Sequence, residues 1–220
     1  SSDLDAEWVR SQCRTKGIDC IEGKGDVRSR AREKGESIEM AARTLRHQFF
    51  AKQTELKSTN IIAFAHHADD QLELVLMRLM RGSGPEGLSG MSLYSTSPYD
   101  PNLNLWRPLL DFSRNEILEY ARSCHIEWRE DSSNQGVAHD RNRVRHLLIP
   151  KLLQDFGPSV KNGILRSSDL IRSEHVFLNE AANEWEASKT ALKNFKNLQK
   201  GLQRELMRRA LIRVGVVPEF

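Results

Sequence analysis

The 220 residues carry 33 Lys and Arg against 30 Asp and Glu, a net charge of +3, with 39% hydrophobic and 29% charged residues and a mean hydropathy of −0.56. That length suits one medium domain with part of a second, and no apolar stretch approaches the roughly 20 residues that span a bilayer, which excludes a helical membrane protein. Three cysteines, Cys13, Cys20 and Cys124, show no C-x-x-C spacing, which argues against a disulfide framework or a compact zinc or iron–sulfur site and points to a reducing cytoplasm.

The first residues, Ser1 to Asp5, lack both an export signal and an initiator Met, so further chain is expected upstream. Asp3 to Lys16 reads as a helix with Trp8, Val9 and Cys13 on one face, and Ile18 to Glu22, after the Gly17 break, as a short strand. Ser37, with Glu39 behind it, caps a helix expected to run to about Thr54. Its buried side would carry Ile38, Ala41 or Ala42, Leu45 and Phe49, while Arg43 and Arg46 leave together on another side. Asn60 to Ala65 reads as a strand and Asp70 to Met80 as a helix, a second strand-to-helix step. Tyr94 to Asn104, rich in Ser, Pro, Asn and Asp, reads as a loop. Ser113 and Glu116 form a capping box for a helix over 114 to 124. Ile126 to Trp128 is strand-like and Asp131 to Asn134 a turn. A helix over roughly Arg141 to Leu153 ends near Gly157 and Pro158, and the remainder reads as helical with a break at Gly201.

Four clusters carry chemistry. The first is His66, His67, Asp69 and Asp70 at a strand-to-helix junction, where α/β sheets bind ligands and a helix N-terminus offers unpaired N–H groups. The carboxylates suit Mg²⁺ and the histidines a transition metal; the plainer alternative is a helix cap beside a packed histidine. Gly82, Gly84, Gly87 and Gly90 would let the backbone approach a phosphate, or simply turn the chain; the P-loop signature is absent. Arg141 and Arg145, one helical turn apart with Arg143 between them, could grip a phosphate or carboxylate bidentately, unless Asp131 or Asp140 absorbs them. Finally, eight Lys or Arg residues and one acid, Glu205, occupy 189 to 213. Lys196, Lys200, Arg204 and Arg208 recur every fourth residue there, as on a polyanion-binding or merely solvated helix face.

Together the runs HHADDQLELVLMRLMRGSGPEGLSGM, SIEMAARTLRHQFF, RPLLDFSR, WREDSSN and RNRVRHLLIPKL resemble the bacterial tRNA(Ile)-lysidine synthetases of the PP-loop ATP-pyrophosphatase class. The resemblance covers Ser1 to about Leu153 and, more loosely, the rest. It implies an α/β, Rossmann-like parallel sheet with flanking helices over 1–153, then a small helical tRNA-binding domain over 154–220. It also implies a cytoplasmic ligase that uses ATP and Mg²⁺ to adenylate C2 of the wobble cytidine in precursor tRNA(Ile) with a CAU anticodon, then joins free L-lysine to it, with a homodimer possible for the family. Asp69, Asp70, His66 and His67 would then be catalytic, with Asp69 and Asp70 at the metal. Arg43, Arg46, Gly82 and Gly84 would bind ATP phosphates, and Arg141, Arg143, Arg145, Lys196, Lys200, Arg204 and Arg208 the tRNA. The family's Ser-Gly-Gly-x-Asp-Ser loop does not occur in these residues and is expected upstream of Ser1. A tRNA-binding module without catalysis, another PP-loop tRNA-modifying enzyme such as a thiolase, and a metal hydrolase are the competing readings. Paired cysteines would favour the thiolase, and the sequence spacing shows none.

Overall fold

Side-chain caps from Asp26, Ser37, His67 and Ser113 mark four of the described helix starts. In the computed structural model, which describes residues 2–129, 140–188 and 192–216, α1 spans Ser2–Thr15 and α2 spans Val27–Lys34, the latter capped by Asp26, whose carboxylate accepts the Ser29 N–H. Ser37 caps α3, Ile38–Leu56, by accepting the Met40 N–H at 3.1 Å. After β1, Ile61–Ala63, come α4, Ala68–Met80, and the short α5, Pro85–Leu88. Strands β2, Tyr94–Ser97, and β3, Asp100–Trp106, precede α6, Arg114–Ser123, which has the expected Ser113–Glu116 capping box. Then α7, Asp140–Arg143, runs through a π-helical turn, Val144–Leu148, into α8, Ile149–Phe156. The 29-residue α9, Ser159–Ala187, a 3₁₀ turn at Leu192–Asn197 and α10, Lys200–Arg213, complete the order. No described helix is long and apolar enough to cross a membrane.

The sheet order is β1-β3-β2. Asn104 N–H bonds Asn60 O and Phe64 N–H bonds Trp106 O, so β1 and β3 advance in the same direction, while β2 and β3 form a hairpin across Pro98 and Tyr99. The sheet is therefore mixed, where a parallel one was expected. The stretch 94–104, expected as a loop, is strand because Leu103 and Leu105, two apart, share one face and are 2% and 4% exposed. That burial outweighs the intervening polar residues and Pro101, which sits at the strand's start. Two expected strands do not form. Ile18 to Glu22 pairs with no strand among the described residues, and Ile18 is exposed. Ile126 to Trp128 is irregular too, the Trp128 ring lying 5.8 Å from the Arg122 guanidinium. In the C-terminal part the helix breaks between α9 and α10, not at Gly201, which lies in the first turn of α10.

The chain divides into two compact units, Ser1–Ile62 with Ser95–Leu105, and Ala63–Tyr94 with Trp106–Phe220. In the first, α2 packs on α3, and the buried side of α3 is Ala41, His47 and Thr54. Ile38, expected inside, is 57% exposed. His47 shares a hydrogen bond with Ser97 Oγ at 3.1 Å and lies 4.5 Å from the Tyr99 ring. Burial, then the nearby Arg43 and Arg46 charges, push its pKa below the ordinary imidazole value.

In the second unit Leu72 and Leu76 of α4 join Val144 in a core completed by Met77, Leu148, Ile149, Leu152, Ile164 and Leu165. The π-helical turn has a local cause. Pro150 lacks the N–H that would bond the His146 carbonyl four residues back, and its ring crowds that carbonyl, so the helix widens there. The widened turn still buries Val144 while Arg141 and Arg145 reach α4.

The glycine segment is held rigidly. Arg78 donates to the Gly87 and Gly90 carbonyls, Ser168 to Leu88 O and Arg172 to Ser89 O. Gln71 both accepts the Met91 N–H at 2.7 Å and donates to Met91 O at 2.9 Å. Gly90 has φ +69, and a Cβ there would lie 2.6 Å from the Gln71 amide. Gly90→Ala is therefore expected to cost about 2 kcal/mol, from the left-handed backbone and the displaced Gln71 contacts. Gly84→Ala, with φ −72 and open space around it, should change stability by no more than about 0.5 kcal/mol. Urea unfolding of both variants checks the contrast.

Candidate active site

The first two turns of α4 carry three carboxylates, Asp69 and Asp70 in the first and Glu73 in the second, and Glu73 lies three and four residues on from the other two, so the three are neighbours on the helix surface. His67 is the N-cap: Asp70 Oδ2 accepts its N–H at 3.1 Å, and its Nδ1 accepts the Asp70 N–H at 3.4 Å. Its neighbour His66 turns elsewhere and stacks on Phe64 at 5.4 Å. The two histidines thus diverge, as adjacent residues at a strand end should.

Each carboxylate meets a cation brought from distant sequence. Asp69 accepts the Arg114 N–H at 2.7 Å through Oδ2, and Lys161 of α9 pairs with its Oδ1. Asp70 Oδ1 accepts from Arg141 Nη2 at 2.7 Å, with Arg145 Nη2 at 3.6 Å. Glu73, whose side chain is 2% exposed, accepts from Arg141 Nε at 2.7 Å and from Arg145 Nε and Nη2 at 2.6 and 3.0 Å. Asp69, Asp70 and Glu73 therefore balance Lys161, Arg141 and Arg145. The Glu73 contact, then its charge and that of Asp70, raise the Arg145 pKa despite partial burial. Sequence reasoning missed Glu73 and Lys161. Glu73 had a local signal, its place three residues after Asp70; Lys161 lies 92 residues from Asp69 and had none.

Burial alone would raise the Asp69 carboxyl, but the Arg114 N–H and the Lys161 ammonium outweigh it and hold it below the usual carboxylate range. A folded-state value depressed below the unfolded one, about 3.9, means that the contact stabilises the fold above that pH and is lost as pH falls through the lower folded value. Wild type should thus exceed Asp69→Asn in unfolding free energy at about pH 6, and the gap should close toward about pH 2–3. Urea titrations across that range read it directly.

The other expected site residues scatter more widely. Arg43 and Arg46 lie exposed on α3 in the first unit, while the rest lie in the second. Gly82 closes α4 at φ +72, and Gly84 caps α5. Arg143 is exposed and lies 3.7 Å from Asp140, which also meets Arg81 at 3.4 Å. Lys196, Lys200 and Arg204 are exposed, but Lys196 belongs to the 3₁₀ turn and the other two to α10, so the stripe is not one helix face. Arg208 is engaged, bonding buried Glu205 at 2.8 and 2.9 Å and Glu86 at 2.5 Å. Asp131 to Asn134 and Lys189 lie outside the described residues. Among the described residues no three His, Cys, Asp or Glu side chains converge as a metal site.

Residues 1–152 match the family model of the PP-loop domain. Curated relatives include the tRNA(Ile)-lysidine synthase of Porphyromonas gingivalis strain W83, 38% identical over 84% of this chain and 39% of the relative. Those of Alkalilimnicola ehrlichii and Vibrio cholerae are 39% and 36% identical, over 83% and 97% of this chain and 39% and 47% of their own length. The chain thus spans less than half the length of these relatives. Among solved structures, the U34-tRNA thiolase NcsA from Methanococcus maripaludis with its [4Fe-4S] cluster superposes with a TM-score of 0.57 at 17% identity, covering 77% of this chain and 57% of that one. This supports the Rossmann-like PP-loop fold and nothing finer.

Proposed function

The chain belongs to the PP-loop domain family, and on that premise we propose that it is the core of a tRNA-modifying ligase that makes lysidine in precursor tRNA(Ile). The observation that carries the reading is the balanced cluster of Asp69, Asp70 and Glu73 with Lys161, Arg141 and Arg145, together with the curated relatives named tRNA(Ile)-lysidine synthase. ATP, the CAU-bearing precursor and free L-lysine are the substrates in this reading, with the cytoplasm as the setting and a homodimer as a possible assembly. Residues 1–153 act as the catalytic domain and 154–220 as the beginning of a helical tRNA-binding domain.

In the first step the C2 oxygen of the wobble cytidine attacks the α-phosphorus of ATP and pyrophosphate leaves. In the second the ε-amine of lysine attacks C2, AMP leaves with the electron pair of the broken C–O bond, and the amine gives up a proton. The enzyme must therefore accept an ammonium, release it as an amine and take its proton, which a carboxylate does best. Asp70 suits this role. Its cationic partner Arg141 is 46% exposed on a long side chain, so an incoming ammonium can exchange with it. Asp69 is instead fixed by a backbone N–H and by Lys161. Arg143, Lys196, Lys200 and Arg204 offer exposed charge to the tRNA backbone, and Arg43, Arg46, Gly82 and Gly84 are the proposed phosphate contacts. Asp69 and Asp70, paired here with Lys161 and Arg141, are the carboxylates proposed to meet Mg²⁺. Mg²⁺ would arrive on the nucleotide's phosphates, as is usual for that ion.

The test is AMP release from ATP by the full-length protein carrying this chain. The ligase reading expects release that needs both precursor tRNA(Ile) and lysine. Salt-dependent tRNA binding with no AMP formed supports the binding-module reading instead.

A further inference from the structure

The face of α4 that carries Asp70 and Glu73 continues past them to Met77 and Arg81, since residues three and four apart are neighbours on a helix surface. There α4, α7 and the π-helical turn enclose a groove of about 580 Å³, which Met77, Met80 and Leu147 line with thioether and leucine surface. Val144 of the π-helical turn is buried in the core, while Leu147, three residues on, is 57% exposed and Met80 is 60% exposed. Such π-helical turns recur at functional sites. Three cations, Arg81, Arg143 and Lys151, stand at the groove against one acid, Asp140. Asp140 reaches Arg81 at 3.4 Å and Arg143 at 3.7 Å, and Lys151 meets Asp155 at 2.9 Å, all through exposed side chains. Exposed pairs of this kind hold their cations weakly and leave them able to turn to another anion.

We propose that this groove holds one unpaired nucleotide of the RNA substrate, its base on Met77, Met80 and Leu147 and its phosphates paired with Arg81, Arg143 and Lys151. This rests on the tRNA-modifying reading, in which that nucleotide lies within a few positions of the wobble cytidine. A splayed-out base offers an apolar ring face and a charged backbone on one unit, the two surfaces that the groove presents side by side. The polarisable thioethers of Met77 and Met80 pack well against aromatic rings and so serve where an aromatic side chain commonly does. The volume falls in the range of small-ligand sites. The position along α4 agrees as well. From Asp70 to Arg81 the helix runs about 16 Å, and Arg141 bonds Asp70 at 2.7 Å while Arg143, two residues on, lines the groove. A strand whose reacting base stands at Asp70 thus brings a nearby nucleotide to Met80. A duplex, with its bases stacked inside, offers the apolar floor nothing.

The experiment takes the full-length protein carrying this chain and two fluorescent RNAs, the anticodon stem–loop of precursor tRNA(Ile) and a blunt duplex of equal length, and reads affinity by anisotropy. Met80→Glu, at an exposed position, should weaken stem–loop binding about tenfold or more and leave duplex binding unchanged. Met80→Leu, which keeps the apolar surface, should bind like wild type. Lys151→Ala should flatten the slope of log affinity against log salt by about 0.7, the share of one phosphate on a single strand. Bound stem–loop should also shield Met80 from oxidation by hydrogen peroxide, read as peptide mass. Equal stem–loop affinity for wild type and Met80→Glu, an equal loss on the duplex, or Met80 oxidised as fast with RNA as without it would each overturn the proposal. Normal RNA binding by Met80→Glu with a change from dimer to monomer in light scattering would overturn it too, and assign the groove to a second copy of the chain. Wild type that binds neither RNA would overturn the tRNA-modifying reading along with it.

Discussion

Replacing Glu73 by Ala is expected to lower the unfolding free energy by about 2–3 kcal/mol. The carboxylate is 2% exposed and accepts three hydrogen bonds from two guanidinium groups. Its removal leaves Arg141 and Arg145 side by side with like charge and opens a gap next to Leu72 and Leu76 of the core. The effect stays below that of a fully buried pair because Arg141 and Arg145 are 46% and 31% exposed and can turn partly to water. Glu73→Gln keeps the volume and two acceptor sites, so its loss should be smaller. Urea unfolding with an unchanged m value and a shifted midpoint checks both, and equal midpoints for wild type and Glu73→Ala would show that the cluster contributes nothing.

The second large effect is on chemistry. Asp70→Asn keeps an acceptor for the His67 N–H and so should cost only about 1 kcal/mol of stability. It removes the charge that would hold an incoming ammonium and the base that would take its proton. Lysine transfer in the full-length protein should therefore slow by about 10²-fold or more, with a raised KM for lysine and with tRNA binding retained. Asp69→Asn should act mainly through stability, because Asp69 is fixed to Arg114 and Lys161. Steady-state rates against lysine concentration for the two variants separate these roles.

Local signals in the chain were legible and long-range ones were not. Ser37 and Ser113 announce helix starts because a short side-chain oxygen can satisfy an orphan N–H two or three residues on, and both do so. The strand-to-helix junction at 66–70 was readable for the same reason, and both aspartates proved to be engaged there. The hairpin of β2 and β3 was hidden because Pro101, Asn102 and Asn104 mask the alternation of Leu103 and Leu105. The strand expected at 18–22 failed because strand formation needs a neighbour, which local pattern does not report. Arg141 and Arg145 were recognised as a pair, but that they would meet Glu73, 68 and 72 residues away, is a property of tertiary packing alone. The basic stripe near the C-terminus read as one helix face because its spacing is regular; a turn at 192–197 and the Glu205 and Glu86 contacts of Arg208 break it up.

The most direct measurement is incubation of the full-length protein carrying this chain with precursor tRNA(Ile), ATP and isotopically labelled L-lysine, followed by mass spectrometry of the digested nucleosides. The account predicts that the wobble cytidine disappears and a nucleoside carrying the whole label appears, in amounts equal to the AMP formed. Unmodified cytidine beside consumed ATP, or label recovered only as free lysine, would contradict it.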